Sequence, residues 1–438
     1  MDFITYLAET LKTQLAQLIK DYEGDIAATS LGAMETSVKE MTVEFSQAIM
    51  GQWLEAQEEK YAEDEKECPS CGGQAHYVRR RQGVSKTIHG RVCYRRHYYC
   101  CSACQRGFSP LDIALGIKPG QMSDQMVQLA ALFGIEDAFG TGHDLLKRAT
   151  LLELSPNSLR KATQRVGQQV VANEQALIEH SHALENQQLR HTSSDRPERL
   201  YGSMDGFKVL FDEGWHEMKA GVWWTTQTSR QGEVKAEDLH YYVDYLSASE
   251  FSPLVWATGF EQQAHLAHEL IFVADGAEWI WRLVDQHYPH AVQIVDWYHA
   301  CAYLAPIAKA AFSDPLQQEQ WIEQVKTDLW QGRLDEVIAA CQQQVNAQRS
   351  DDPAQQAVTY YQNNRHRMDY ARYRALGYQI GSGSMESGCK QLGLARLKIA
   401  GARWSSHGAT LVAKARAAYL SGDWDKLNAS SPSLPQVA

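Results

Sequence analysis

Between residues 199 and 300 the chain follows a strand order that restricts its fold more than any other feature. Three runs rich in aromatic and β-branched residues, RLYGSMDGFKVLF, HEMKAGVWWTTQ and DLHYYVDYLSA, are separated by short polar turns and read as an antiparallel meander. A helix-like FSPLVWATGFEQQAHLAHE follows. Next comes LIFVADGAEWIWRLVDQHYP, an apolar strand running into a glycine turn and a helix, and then a further strand, AVQIVDWYH. Three strands followed by alternating helix and strand is the chain order of a mixed α/β sheet.

The flanks read differently. At 438 residues the chain is too long for one small core, so two to four structural units are expected. Residues 1–65 form an N-terminal helical region ending in the acid-rich EAQEEKYAEDEKE, read as a solvated helix end and linker. Residues 66–112 alternate polar and aromatic residues with strand periodicity between CPSC and CSAC. Residues 113–195 return to a helical period. Ser155 as N-cap and Pro156 at the first helical position start a helix there with Arg160 and Lys161 along its exposed side, in the manner of a helix-turn-helix. The sheet spans 196–300, a Gln- and Ala-rich helical insertion 301–376, a closing part of the core 377–425 and a tail 426–438.

The cysteines suit a metal better than a disulfide framework. Most of the nine cluster between Cys68 and Cys104, and Cys68-x2-Cys71 with Cys101-x2-Cys104 makes two knuckles of a zinc-ribbon type, four thiolates for one structural Zn²⁺. Cys100 adjoins Cys101, so spacing leaves open which of the two ligates, and Cys93 reads as a spectator. The formal net charge is −11, which argues against a nonspecific nucleic-acid coat, yet two segments are basic. One carries Arg79, Arg80 and Arg81 among eight cations between Cys68 and Leu111, with no acid. The other follows Glu386 and includes Arg396, Lys398 and Arg403, with Trp404 beside them. Each can grip phosphate, and Trp404 can stack on an unpaired base. No apolar run reaches membrane-spanning length, and the N-terminus has the period of a helix rather than of a signal peptide. The expectation is a cytoplasmic protein with no membrane partner.

Three acids stand in unusual contexts. Asp205 interrupts an apolar strand in SMDGF, and a charge there is costly unless paired or bound to metal. Asp275 ends LIFVAD at the carboxyl end of a strand, where ligands of α/β sheets collect. Both precede glycine, so each also reads as a turn-forming Asp. Glu386, in GSGSMESGCK, falls in the first turn of a helix that Ser382 or Ser384 can cap, and it also reads as an ordinary capping-box acid. The glycines around it leave room for a ligand such as a DNA backbone.

Taken together, YGSMDGFKV, VADGAEWIW, VDWYHA, GSGSMESGCKQ and ARWS, with CPSCGG and YYCCSACQRGFSPLD upstream, resemble the ISKra-type bacterial insertion-sequence transposases. The resemblance implies an RNase H-like core interrupted by a helical insertion, with Asp205, Asp275 and Glu386 as the DDE triad. It implies a transposase that cleaves phosphodiester bonds at the element's ends and joins the 3′-OH ends to target DNA. Two Mg²⁺ (or Mn²⁺) ions would be held by the triad, because phosphodiester cleavage uses two hard cations about 4 Å apart, bound by oxygen. Asp296 and His299 in DWYH resemble the C/D-x-x-H motif of Mutator-like and hAT-like transposases, for which a role near the scissile phosphate is implied. The implied partner is double-stranded DNA at transposon ends and target, bound by a homodimer or higher oligomer associated with the nucleoid. A hydrolytic nuclease of the same fold is the alternative within enzymes. A zinc-ribbon DNA-binding regulator with an inert core is the alternative outside them.

Overall fold

The computed structural model of the chain describes residues 3–22, 30–61, 63, 65–183, 196–228, 234–346 and 352–429. Parts of the expected N-terminal helical region (1–2, 23–29), helical stretch (184–195), insertion (347–351) and tail (430–438) lie outside the described residues. The chain divides into two compact units, Met1–Val166 with Asn428–Ala438, and Gly167–Leu427. Among the described residues no helix is long and apolar enough to cross a membrane.

The first unit is built on a long hairpin. Strands β1 (Glu65–Glu67), β2 (Gln74–Thr87), β3 (Gly90–Cys101) and β4 (Gly107–Phe108) form an antiparallel sheet in sequence order. Alternation sets its faces: Val92 and Tyr94 of β3 point inward, onto Leu54 of the helix Leu31–Glu58 and onto Leu111. Beyond its two-residue pairing with β4, the outer edge of β3 has no neighbouring strand among the described residues. The helix covers it: Glu55 accepts the backbone N–H of Arg95 at 2.9 Å, and Glu58 accepts that of His97. Edge N–H groups thus find side-chain acceptors instead of another chain. Glu58 is 0% exposed, so the reading of this acidic stretch as solvated is corrected at that residue alone; Lys60, Glu63, Glu65 and Glu67 are exposed. Asp112 is likewise buried, accepting from Tyr94 Oη at 2.6 Å and Arg96 Nε at 2.5 Å. Helices Asp124–Glu136 and Phe139–Thr150 follow, and then Pro156–His182, which begins in this unit and continues past its end at Val166. The last is started by Ser155, whose hydroxyl accepts from the Ser158 N–H at 3.2 Å.

The second unit is a mixed α/β structure around a five-stranded sheet of order β7-β6-β5-β8-β9. Strands β5 (Arg199–Phe211), β6 (Gly214–Thr228) and β7 (Val234–Asp244) form the antiparallel meander, and β8 (Glu269–Ala274) and β9 (Val292–Val295) add in parallel beside β5. Strand β8 is apolar after its first residue because it is central and covered on both faces. The crossover helix Ala248–Glu261 opens with a capping box between Ser247 and Glu250. The helix Glu278–His287 carries the chain from β8 to β9. Trp223, Phe272 and Tyr288 meet edge-on or stacked at 5.2–5.6 Å in the core beneath.

After β9 the chain leaves the sheet for six α-helices among the described residues, Trp297–Ala302, Leu304–Ala311, Pro315–Trp330, Leu334–Gln342, Pro353–Asn363 and Tyr370–Ala375. It returns at Gly383–Cys389, which continues directly into a π-helical segment, Lys390–Leu397, and ends in Ser406–Leu420 and Trp424–Ala429. Helix Ser406–Leu420 is buried almost throughout and contains Lys414, 2% exposed, between Glu174 at 2.5 Å and Asp244 at 2.8 Å. Removing the cation strands two half-buried carboxylates. Lys414→Met is therefore expected to lower the unfolding free energy by about 3–5 kcal/mol, read from urea denaturation. A loss under about 1 kcal/mol, the size of a surface pair, would contradict a structural role for this triad.

Candidate functional site

Strand pairing brings two of the three acids near each other. The parallel pairing of β5 with β8 runs from Arg199 opposite Glu269 to Gly202 opposite Phe272. The pairing ends there; Asp205 follows three residues further along β5 and Asp275 lies just past the end of β8, near enough for its charge to act on Asp205. Asp205 is half-buried; its Oδ1 accepts from the Gly206 N–H at 2.7 Å and its Oδ2 from the Cys389 thiol at 3.6 Å. Burial pushes the Asp205 carboxyl up, the Gly206 N–H pulls it down, and the charge of Asp275 adds to the rise. Asp275 spends one oxygen on the turn it begins, accepting from the Ala277 N–H at 2.8 Å.

Asp296 is the most enclosed acid at this end of the sheet, 2% exposed. It caps the helix Trp297–Ala302: Oδ1 accepts from the His299 N–H at 2.7 Å and lies 3.2 Å from His299 Nδ1. Its Oδ2 accepts from the Ser382 N–H at 2.5 Å and the Ser382 hydroxyl at 2.9 Å. Burial raises this carboxyl, but the hydrogen bonds from His299 and Ser382 outweigh it and hold it below its ordinary value. The same hydrogen bond raises the His299 pKa against burial, helped by the charges of Asp296, Asp275 and Asp205.

Glu386 is presented on the surface beside these groups. Met385 and Gly388 of its helix are buried, and Gly388 allows the close approach: a Cβ there would lie 2.6 Å from the Tyr241 ring. That glycine makes room for the protein itself, which corrects its reading as space for a ligand; Gly383, by contrast, faces open space. The Glu386 side chain is 64% exposed and bonded to Lys390 at 2.7 Å. The expectation that Ser382 caps this helix is corrected as well. Ser382 occupies the N-cap position without a side-chain cap bond, because its hydroxyl is given to Asp296. Among the described residues, the only three or more Cys, His, Asp or Glu ligand atoms within 4.8 Å of one another are four thiols, so the three acids do not touch as a cluster. The sequence reading passed over Cys389. Its signal was present, since a residue three positions after Glu386 shares its helix face.

The basic segment after Glu386 divides in two. Arg396 is 1% exposed, with its guanidinium 5.0 Å from the Trp404 ring centroid. The Trp404 indole donates to the Leu397 carbonyl at 3.0 Å, and its own carbonyl accepts from the Asp212 N–H at 2.8 Å. Both face inward, so their assignment to DNA contact is corrected: neither can meet a phosphate or stack on a base in this conformation. Lys398 and Arg403 are exposed. In the first unit Arg79 and Arg80 are exposed, while the Arg81 guanidinium lies over the Tyr98 ring at 3.7 Å. Arg160 is held by Asn157 and Gln164 of its own helix, and Lys161 is exposed.

Cys68, Cys71, Cys101 and Cys104 bring their sulfurs within 4.8 Å of one another, with 3.7 Å between Cys68 and Cys104 and 3.5 Å between Cys71 and Cys101. A tetrahedral zinc with bonds of about 2.3 Å sets its sulfurs about 3.8 Å apart, so the cluster can hold a structural metal such as zinc. Backbone N–H groups of Cys104 and Ala103 lower the Cys101 thiol to about 6, while Cys71, against the pull of the Gly73 N–H, is pushed up to about 12 by hydrogen bonds with Cys101 and Cys104. The ambiguity between neighbours is resolved: Cys101 belongs to the cluster, whereas the Cys100 sulfur points at the Gln105 carbonyl at 3.8 Å. Cys93 is exposed and outside it.

No family model matches the chain, and no curated protein matches it.

Two measurements follow from this geometry. Zinc content near one per chain in metal-analysed protein is expected to fall to background in Cys101→Ser and to persist in Cys100→Ser. Equal zinc in both would contradict the assignment. For His299, the folded state favours the imidazolium, so its contribution to stability is fully present below pH 6.5 and is lost as pH rises through the raised folded pKa. By NMR the His299 imidazole should titrate above 6.5 in the wild type and lower in Asp296→Asn; an unchanged titration would deny the pair.

Proposed function

We propose that the chain is a DNA transposase that cuts strands at the ends of its element and joins the exposed 3′-OH groups to target DNA. The observation that carries the proposal is the nearness of Asp205, within β5, to Asp275, just past the end of the neighbouring β8, with the helix of Glu386 seated over β5 through Cys389. A meander of three strands extended by two parallel ones, with helices inserted before the last acid, supports an RNase H-like core. The resemblance to ISKra-type transposases agrees with this reading.

Mg²⁺ or Mn²⁺ fits the carboxylate pair. Two like charges are crowded at adjacent strands, the rise in Asp205 reports part of that crowding, and the donors are hard oxygens. Bound there, two such ions supply an activated nucleophile and a stabilised leaving oxygen. Glu386 serves as the third ligand once its carboxylate leaves Lys390. His299, half-exposed and biased towards imidazolium, offers an N–H to a phosphate oxygen, while Asp296 holds its other nitrogen. The exposed Arg79 and Arg80 of the β2–β3 hairpin neutralise backbone phosphates, and the four-cysteine cluster braces the base of that hairpin with zinc. Joining two ends to one target calls for at least two copies of the chain on DNA.

Asp205→Asn, Asp275→Asn and Glu386→Gln are each expected to reduce Mg²⁺-dependent cleavage about a thousandfold or more, the worth of several kcal/mol of metal-stabilised transition state. Duplex binding should persist. Normal cleavage by any of the three would refute the triad, and cleavage without joining would make the chain a hydrolytic nuclease. Reversing Arg79 and Arg80 to Glu should flatten the dependence of log affinity on log salt by about 0.9 for each lost phosphate contact. An unchanged slope in a gel-shift titration would remove the hairpin from the DNA interface.

A further inference from the structure

The hairpin of the first unit has an outer face that phosphate neutralisation does not account for. Along β2 the residues Gly83, Ser85 and Thr87 are buried, and along β3 so are Val92, Tyr94 and Arg96, so the alternate residues of both strands point the other way. Register pairs them across the strands. Arg80 lies opposite His97, Gln82 opposite Arg95, and Lys86 opposite Arg91. Arg80, Gln82, Lys86, Arg91 and Arg95 are all exposed, and no acid stands on this face between Arg80 and His97.

In a chain of net charge −11, an acid-free face is a selective arrangement. Glu55 and Glu58 meet the edge of β3 and are spent there, on the backbone N–H groups of Arg95 and His97. The opposite face of β3 is closed by Leu54 and Leu111, which leaves the outer one open along the ribbon. From Arg80 to Lys86 a strand runs about 20 Å, and its partner lies about 4.8 Å away. A two-stranded ribbon of that width enters the major groove of DNA, about 12 Å across, and is too wide for the minor groove, about 6 Å across.

The side chains on the face fit what that groove displays. Arginine gives two N–H groups to the O6 and N7 acceptors of guanine, and glutamine bonds the N6 and N7 edge of adenine. Gln82 and Arg95 form one cross-strand pair, with cations on either side of it along the ribbon. Phosphate contacts alone carry no sequence information, whereas this pair can supply it.

We propose that the outer face of the β2–β3 ribbon lies in the major groove of duplex DNA and reads its sequence there, Arg95 on a guanine and Gln82 on an adenine. Arg80, Lys86 and Arg91 hold the phosphates on either side. The proposal rests on the reading of the chain as a protein that cuts DNA and adds which element selects the site.

The test uses the full chain without divalent cations, so that cleavage does not enter. The probe is a pool of DNA duplexes randomised over two turns of the double helix. Selection by the wild type should enrich a motif that contains guanine and adenine. Placing 7-deazaguanine, which lacks the N7 acceptor, at the selected guanine should weaken wild-type binding about tenfold and leave Arg95→Ala with equal affinity for both duplexes. Gln82→Ala should lose the preference at the adenine, and Lys86→Glu should weaken binding to every duplex while keeping the motif. These side chains are exposed, so the zinc content of each variant should match that of the wild type. The proposal is overturned if the wild type enriches no motif, or if Arg95→Ala and Gln82→Ala enrich the wild-type motif unchanged. Equal affinity for duplex RNA of the selected sequence would also overturn it, because the major groove of RNA is too narrow to read. A selected motif in a chain that cuts no DNA in Mg²⁺ would overturn the transposase reading and leave the ribbon standing. Cutting by the wild type beside an unchanged motif in both variants would do the reverse.

Discussion

The buried carboxylate of Asp296 joins parts of the second unit that the chain keeps far apart. Its own N–H donates to the Ala274 carbonyl at 2.7 Å, at the end of β8 next to Asp275, while its side chain holds His299 on one oxygen and Ser382 on the other. The neighbouring Trp297 N–H donates to the Ile380 carbonyl at 2.9 Å. A charge so enclosed is tolerable only with its oxygens fully engaged. The same hydrogen bonds therefore settle where the returning chain must begin the helix of Glu386. Loss of this junction would release the helix start from the strand ends while leaving the sheet itself intact.

The insertion is tied to the sheet by tyrosines. Tyr370, Tyr361 and Tyr373 donate their hydroxyls to the carbonyls of Val295, Ala300 and Gln293, at 3.0, 2.8 and 3.3 Å. Strand β9 stands at the edge of the sheet, and these bonds occupy carbonyls in and just beyond it. Each tyrosine buries a large ring and brings one donor to a backbone acceptor, which makes the insertion a cover for the edge.

In both units, charges are used inside as well as outside. Glu58 and Asp112 in the first, and Lys414, Arg396 and Arg416 in the second, are all buried. Arg416 donates to the Gln391 carbonyl at 2.7 Å, within the π-helical segment that prolongs the Glu386 helix. Buried ions cost desolvation energy, and partners with good geometry offset it. Half of the basic segment after Glu386 thus works in packing, and Lys398 and Arg403 remain outward.

Period and spacing are local properties, and what depends on them was readable from the sequence. The meander, the apolar β8, the helix start at Ser155 and Pro156 and the cysteine knuckles follow from side-chain alternation, capping chemistry and ligand interval. Partnership across long separations was not readable. That Cys101 rather than Cys100 faces the other sulfurs depends on which side of β3 each residue takes. That Ser382 serves Asp296 instead of its own helix, that Cys389 meets Asp205, and that Arg396 lies against Trp404 depend on chain folding back over tens to hundreds of residues. An isolated cation or hydroxyl in a sequence has the same helix and strand preferences whether it ends in solvent or in a core. Only the packed structure decides which, because the energy that settles it belongs to the pair.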